Sequence, residues 1–197
     1  MSTADRLDSS SFDAMALGAD IVAYHEAAEL TERKEKGEKM TSSCCPAFVN
    51  MVRKHFPGML PFVSTTVSPM IAAERYIRSQ NPDVVTVFIG PCLAKKAEAR
   101  EEDIKDAVDF VLTFREVEDL FAFAKIHPET LAEDNKDHSS AAGRIYARTG
   151  GVSQAVKASV KRLRPDDPVQ VRAVQADGVP GCRALLDQLQ NGEISAN

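Results

Sequence analysis

The sequence predicts an α/β fold, with mainly parallel sheets flanked by helices, built as one sizeable domain or as two lobes with the site between them. Three observations carry that expectation. Residues 84–89, Val-Val-Thr-Val-Phe-Ile, form a continuous β-branched and apolar run, the pattern of a strand buried on both faces. Residues 107–112 repeat the strand pattern, and 169–174 offer a third candidate. Helical periodicity fills the intervals, and strands alternating with helices argue for parallel pairing.

Residues 1–11 are Ser- and Asp-rich and are expected to form a flexible N-terminus ahead of a domain spanning 12–197. Over 14–35, Met15, Ile21, Val22, Ala27, Ala28 and Leu30 make one apolar face and charges fill the other, which predicts a first helix. A loop follows, then a short helix over 48–55 with Pro46 near its first turn; Pro57, Gly58 and Pro61 break it. Ser68 is placed to cap a helix that starts at Pro69 and runs to about Ser79. After the second strand, Thr113 and Glu116 have the spacing of a capping box, and Val117, Leu120, Phe121 and Ala124 are expected to face inward. Residues 128–141 read as an acidic surface loop, 151–163 as a helix opened by Gly150-Gly151, and 180–190 as a final helix.

Composition excludes several classes. The 197 residues are 44% hydrophobic and 27% charged, ordinary for a globular chain able to bury a core. A net charge of -5 gives no electrostatic case for nucleic acid or an anionic membrane. No apolar run reaches a membrane span, and the start lacks a basic, apolar leader, so a cytosolic location is expected. The four cysteines are then expected to be reduced, ligating or catalytic.

Two cysteine segments stand out. Thr41-Ser42-Ser43-Cys44-Cys45-Pro46-Ala47-Phe48 carries adjacent cysteines before a proline, whose fixed φ and missing N–H stiffen the backbone under two sulfurs. Gly90-Pro91-Cys92-Leu93-Ala94-Lys95-Lys96-Ala97-Glu98 follows the first strand, at the carboxyl end where open parallel sheets place their sites. The pair suits a metal or redox centre in which one thiolate ligates and its neighbour handles protons or electrons. Small buried hydrophobes are the alternative reading of the same cysteines.

These segments resemble the catalytic domain of the iron-iron hydrogenases, whose signatures have the forms Thr-Ser-Cys-Cys-Pro-x-aromatic and Pro-Cys-x-x-Lys-x-x-Glu, with one extra Ser here. Ala16-Leu17-Gly18-Ala19-Asp20, the Glu26/Glu29 pair, residues 64–69 and Thr149-Gly150-Gly151-Val152 match in the same order, so the resemblance runs from about Phe12 to the end. It implies reversible oxidation of dihydrogen to protons and electrons at an H-cluster, a 4Fe–4S cluster joined to a diiron subcluster. It also implies a ferredoxin-like electron carrier or an attached regulatory module, and maturation proteins, as partners.

Within that resemblance Cys45 and Cys92 are thiolate ligands of the 4Fe–4S part. Cys44 is the thiol that exchanges protons with the diiron unit, and Glu26, Ser64 and Glu29 continue the proton path. Three-residue spacing puts the two glutamates on one helix face, which is otherwise the pattern of a solvated surface. Lys95 hydrogen-bonds a cyanide of the diiron unit and pairs with Glu98, while Pro91, Ser68 and Pro69 line the pocket. Cys182 has no counterpart and reads as a core cysteine; the four histidines share no metal-type spacing.

The departures matter as much. The third signature, Glu-x-Met-x-Cys-x-x-x-Cys, would begin just after Asn197, so the chain is expected to be part of a longer protein and to lack the intact cluster by itself. Gly90 stands where catalytic members carry Met, Ala47-Phe48 replaces a small residue and Trp, and Met70 replaces Gln. These changes resemble the sensory branch of the family. Three functions therefore compete: hydrogen turnover, hydrogen or redox sensing with little turnover, and a non-catalytic iron–sulfur scaffold like the eukaryotic relatives that assist cluster assembly. A plain thiol redox protein has no Cys-x-x-Cys to support it.

Overall fold

A 22-residue helix, α1 (Ala14–Glu35), is the axis on which the other elements are arranged in the computed structural model, which describes residues 14–132, 139–166 and 169–194. The expected N-terminal segment, residues 1–11, lies outside the described residues, as do 133–138 of the expected acidic loop. Along α1, Ala19, Val22, Ala23, Ala27 and Leu30 are buried, recurring at the three- and four-residue spacing that makes one helix face. They meet α3 (Pro69–Gln80), α6 (Ala141–Ile145) and α7 (Gly151–Leu163). Small residues set how close α1 and α3 come: a Cβ on Gly18 would lie 2.3 Å from the Pro69 carbonyl oxygen.

The sheet is parallel, as expected, but small. β1 (Val87–Ile89) pairs with β2 (Phe110–Leu112) in the register Val87↔Phe110 to Ile89↔Leu112, with α4 (Ala94–Glu98) in the crossover. Both strands are shorter than their apolar runs. At Thr86 the carbonyl still accepts from Phe110 N–H at 3.1 Å, but its own N–H goes to Asp109 Oδ2 at 2.8 Å, and its hydroxyl lies 3.0 Å from the same oxygen. Phe88, Ala107 and Val108 pack against Met70 and Ile71. Val85, Val87 and Phe110 are exposed, so burial on both faces does not hold here.

Two further expectations are corrected. Residues 169–174 form no strand, because no neighbour offers them a ladder; Val169 and Val171 instead lie as extended chain against Ala27, Leu30, Val156 and Val160. α5 (Phe114–Ala124) has the expected Thr113/Glu116 capping box, yet buries no residue completely. Val117 and Phe121 are half-buried, while Leu120 and Ala124 are exposed. An apolar stripe makes a helix but does not ensure that something covers it.

The remaining helices follow their local signals. α2 (Pro46–His55) begins at the proline itself, and α3 begins at Pro69 behind Ser68. Residues 57–62 wind into a 3₁₀ helix, and α8 (Gly178–Gln190) packs Leu186 against Val52, Phe56 and Met59. Replacing Gly18 with Ala should destabilise the protein by about 1–3 kcal/mol, since the added methyl meets backbone that cannot yield. Urea unfolding checks this; an unchanged midpoint would mean that α1 and α3 can separate freely.

Candidate functional site

The segment 41–45 is tied to 62–66 by backbone bonds. Thr41 N–H donates to the Phe62 carbonyl at 2.7 Å, and Ser64 N–H donates to the Thr41 carbonyl at 2.8 Å. The Ser43 hydroxyl adds a short bond to the Thr66 carbonyl. Cys45 is the extended residue that precedes α2, with Pro46 starting the helix, so the paired cysteines sit on backbone fixed from both sides. Cys44 is half-buried and Cys45 exposed.

Glu26 is the largest surprise at this site. The charged face expected of α1 would put it in solvent, yet it is fully buried. Its Oε1 accepts from the Ser42 hydroxyl at 2.6 Å and from Ser43 N–H at 3.3 Å, and Tyr146 O–H lies 3.5 Å from Oε2. Burial pushes its carboxyl up from the ordinary value, and the Ser42 and Ser43 bonds only partly oppose that. Cys44 shares the surroundings: burial pushes its thiol up, while hydrogen bonds with Ser42 and Tyr146 act the other way. Both shifts favour the protonated forms.

Glu29, one turn along, behaves oppositely. Partial burial works to raise its carboxyl, but bonds from the Ser64 hydroxyl at 2.7 Å, Arg33 Nε at 2.8 Å and Thr65 N–H outweigh it, so the net shift is downward. Ser64 is itself buried and also accepts from Thr66 N–H at 3.1 Å. The expected members Cys44, Glu26, Ser64 and Glu29 are therefore gathered along one side of α1 by the 41–45 and 62–66 segments. Ser42, Ser43, Arg33 and Tyr146 join them without having been singled out in the sequence. Arg33, four residues after Glu29, had a legible helix-pair signal; Tyr146, 120 residues from Glu26, had none.

The second motif approaches from the sheet. Gly90 N–H donates to the Leu112 carbonyl at 3.0 Å, extending the ladder by one bond, after which exposed Pro91 and half-buried Cys92 lead into α4. Lys95 is buried, donates to Glu98 Oε2 at 2.7 Å and reaches the Cys44 carbonyl oxygen at 3.5 Å. That contact joins the two cysteine motifs. The pair Lys95–Glu98 is also buried on both sides, so removing either partner would strand a charge.

A cleft of about 300 Å³ opens between these parts, with Ser43, Pro46, Ser64, Ser68 and Glu98 among its walls. The Ser68 hydroxyl lines it, is buried, and has no hydrogen-bond partner among the described residues. A buried hydroxyl without a partner costs free energy unless a ligand completes it. Pro69, behind it, is buried at the start of α3. The residues fit the expected cluster in part. An unpartnered hydroxyl and Glu98, the partner of Lys95, line the cleft, and the thiols lie in the flanking loops, but among the described residues no three His, Cys, Asp or Glu group as a metal site requires. A 4Fe–4S cubane wants four thiolates, so Cys45 and Cys92 could supply one edge of its ligand set and no more. Cys182, expected in the core, is half-buried on α8.

The architecture is a helix-rich α/β domain with its two cysteine loops tied together through Lys95, and the comparisons with known proteins identify its family. The family model described as "Iron only hydrogenase large subunit, C-terminal domain" matches residues 4–197, and the chain belongs to that family. Iron hydrogenase 1 of Clostridium pasteurianum is 31% identical over 197 aligned residues, covering 90% of this chain and 34% of that protein. The cytosolic Fe-S cluster assembly factor NAR1 of Eremothecium gossypii is 34% identical over 102 residues, covering 51% of this chain and 23% of the factor. An apo FeFe-hydrogenase HydA1 from Chlamydomonas reinhardtii superposes with a TM-score of 0.68 at 22% identity, covering 92% of this chain and 64% of that one, a likeness of fold. The chain thus spans about a third or less of the length of these curated relatives. No described helix is long and apolar enough to cross a membrane.

The opposed carboxyl shifts give a pH test. Glu26, raised in the folded state, contributes stability that is present below the ordinary carboxyl value and lost as pH rises through its folded value. Glu29, lowered, contributes stability that is present above the ordinary value and lost as pH falls through its own. Glu26→Gln should therefore flatten the decline of stability between the ordinary carboxyl value and neutrality. Chemical denaturation across pH 4 to 7 measures it, and an unchanged slope would place Glu26 in contact with water.

Proposed function

We propose that this chain is the cysteine-loop part of a hydrogen-cycling domain, in which its own residues hold one side of an H-cluster and move protons to and from it. The observation that carries the reading is the pair of hydroxyl–carboxyl contacts behind Cys44: Ser42 to Glu26, and Ser64 to Glu29 one turn further along α1. A core built for packing alone has no reason to bury a carboxyl, which is costly away from water, in the middle of its central helix. The raised Glu26 and Cys44 hold protons inside, and the lowered Glu29, paired with Arg33, suits the water-facing end of the path.

Cys45 and Cys92 would be thiolate ligands, and Lys95, fixed by Glu98, would donate toward an anionic ligand of the diiron unit. The unpartnered Ser68 hydroxyl offers a further donor at the cleft. When bound, the cluster supplies the making and breaking of dihydrogen. The chain would supply orientation and a proton route that ends at Glu29. A ferredoxin-like carrier or an attached regulatory module would take the electrons.

A second reading, a sensor or cluster scaffold with little turnover, has one specific observation in its favour. Gly90 is buried, and a Cβ there would lie 2.8 Å from the Phe88 ring. Phe88 thus fills the space beside Gly90, so the methionine of catalytic members has no room in this packing. The assembly-factor relatives make the same alternative reasonable.

Anaerobic reconstitution of the longest form of the protein that its gene encodes, with iron, sulfide and a synthetic diiron cofactor, tests the proposal by infrared spectroscopy. Carbonyl and cyanide bands that shift under dihydrogen are expected. A bound 4Fe–4S cluster without those bands would sink both hydrogen readings and leave the scaffold. In the loaded protein, Cys44→Ala and Glu26→Gln should each lower turnover by about 10²–10⁴-fold, the range for a lost acid–base group, while the bands persist. Turnover unaffected by either change would remove the proton route from the mechanism.

A further inference from the structure

We propose that Tyr146 is a positioning residue of this site, its hydroxyl forming a second hydrogen-bonded bridge between Cys44 and Glu26, parallel to that of Ser42. The bridge is argued from the 3.5 Å contact with Glu26 and the packing of Cys44 on the same cluster; its role in proton movement rests on the hydrogen-cycling reading above.

The ring and the hydroxyl of Tyr146 have separate explanations. The ring is buried among Ala19, Val22, Ala23, Ala72 and Ala155, with Cys44 packed against the same cluster. A slot walled by small side chains accounts for a large flat one, and phenylalanine would serve it equally. The hydroxyl is different, because sealing an O–H in such a slot costs free energy unless it is bonded. It lies 3.5 Å from Glu26 Oε2, and Cys44 packs against the same buried cluster, which sets its thiol beside the phenol. Ser42 occupies the other carboxyl oxygen, donating to Oε1 at 2.6 Å, and its Oγ lies 3.4 Å from Cys44 N–H. The two hydroxyls therefore flank one carboxyl and face the same cysteine.

The placement is set from outside the site. Ser140 donates its backbone N–H at 2.9 Å and its hydroxyl at 2.5 Å to the two carboxylate oxygens of Asp20 on α1. Those bonds seat α6 on α1, and Tyr146 follows directly after α6, some six residues along α1 from Asp20. A residue held that way keeps Glu26 turned toward Cys44 rather than along its own helix.

The test needs no cluster. The chain has three tyrosines, and Tyr24 and Tyr76 are 52% and 45% exposed. With tyrosine labelled at the ring carbon bearing the hydroxyl, Tyr146→Phe assigns the Tyr146 resonance by its loss. That resonance should then shift in both Glu26→Gln and Cys44→Ala, while those of Tyr24 and Tyr76 stay in place. A Tyr146 signal unmoved in either variant overturns the bridge. In the cluster-loaded protein, Tyr146→Phe keeps the ring and should lower kcat several-fold with KM for dihydrogen unchanged; kcat intact would overturn the positioning role. A protein that shows both resonance shifts but loads no cluster supports the bridge while sinking the hydrogen reading, so the two failures are distinguishable.

Discussion

The burial of Glu26 is the constraint on which this structure is organised. A carboxyl in the middle of the central helix must be completed by hydrogen bonds, and two separate parts of the chain are brought in to do so. Ser42 and Ser43 come from the cysteine loop and Tyr146 from the end of α6, 120 residues away. The cysteine loop is seated by that demand as much as by its own proline. Seen this way, the conformation of Cys44 and Cys45 is a consequence of what α1 buries.

Two opposite electrostatic environments then lie one helical turn apart. Glu26 is shut away and its carboxyl rises; Glu29 accepts from Ser64, Arg33 and Thr65 and its carboxyl falls. Such a gradient from a proton-holding interior to an ion-paired exterior is what a proton route requires. Structural ion-pair networks also perturb carboxyls, and here the thiol of Cys44 and the unpartnered hydroxyl of Ser68 distinguish the site from one. The lysine of the second motif closes the arrangement by touching the backbone of the first.

Local signals in the sequence set the structure where their partners lie close along the chain. The capping box at Thr113, prolines at the first turns of α2 and α3, and the span of α1 all depend on residues within a turn or two of each other. The apolar runs of 84–89, 107–112 and 169–174 promised more sheet than forms, because a strand exists only where a neighbour completes its ladder. Likewise the stripe of α5 was legible as a helix, whereas its exposure depends on what other structure covers it. At the site, both cysteine motifs, the glutamate pair, Ser64 and Lys95 were visible as patterns. Tyr146 and the serines that complete Glu26 were not, since partners separated by such distances leave no periodicity to read.

The sequence by itself determined the chemistry this chain can offer: two cysteine loops of recognisable spacing, helices with their stops and starts, and a family membership carried by motifs in order. Those features are encoded in contiguous residues, where backbone preference and side-chain identity act over a few positions. Only the tertiary structure decided that Glu26 is buried rather than solvated, that Lys95 reaches Cys44, and that Phe88 closes over Gly90. Each of these depends on the packing of segments far apart in the chain, where burial and hydrogen-bond completion, rather than local propensity, choose the outcome.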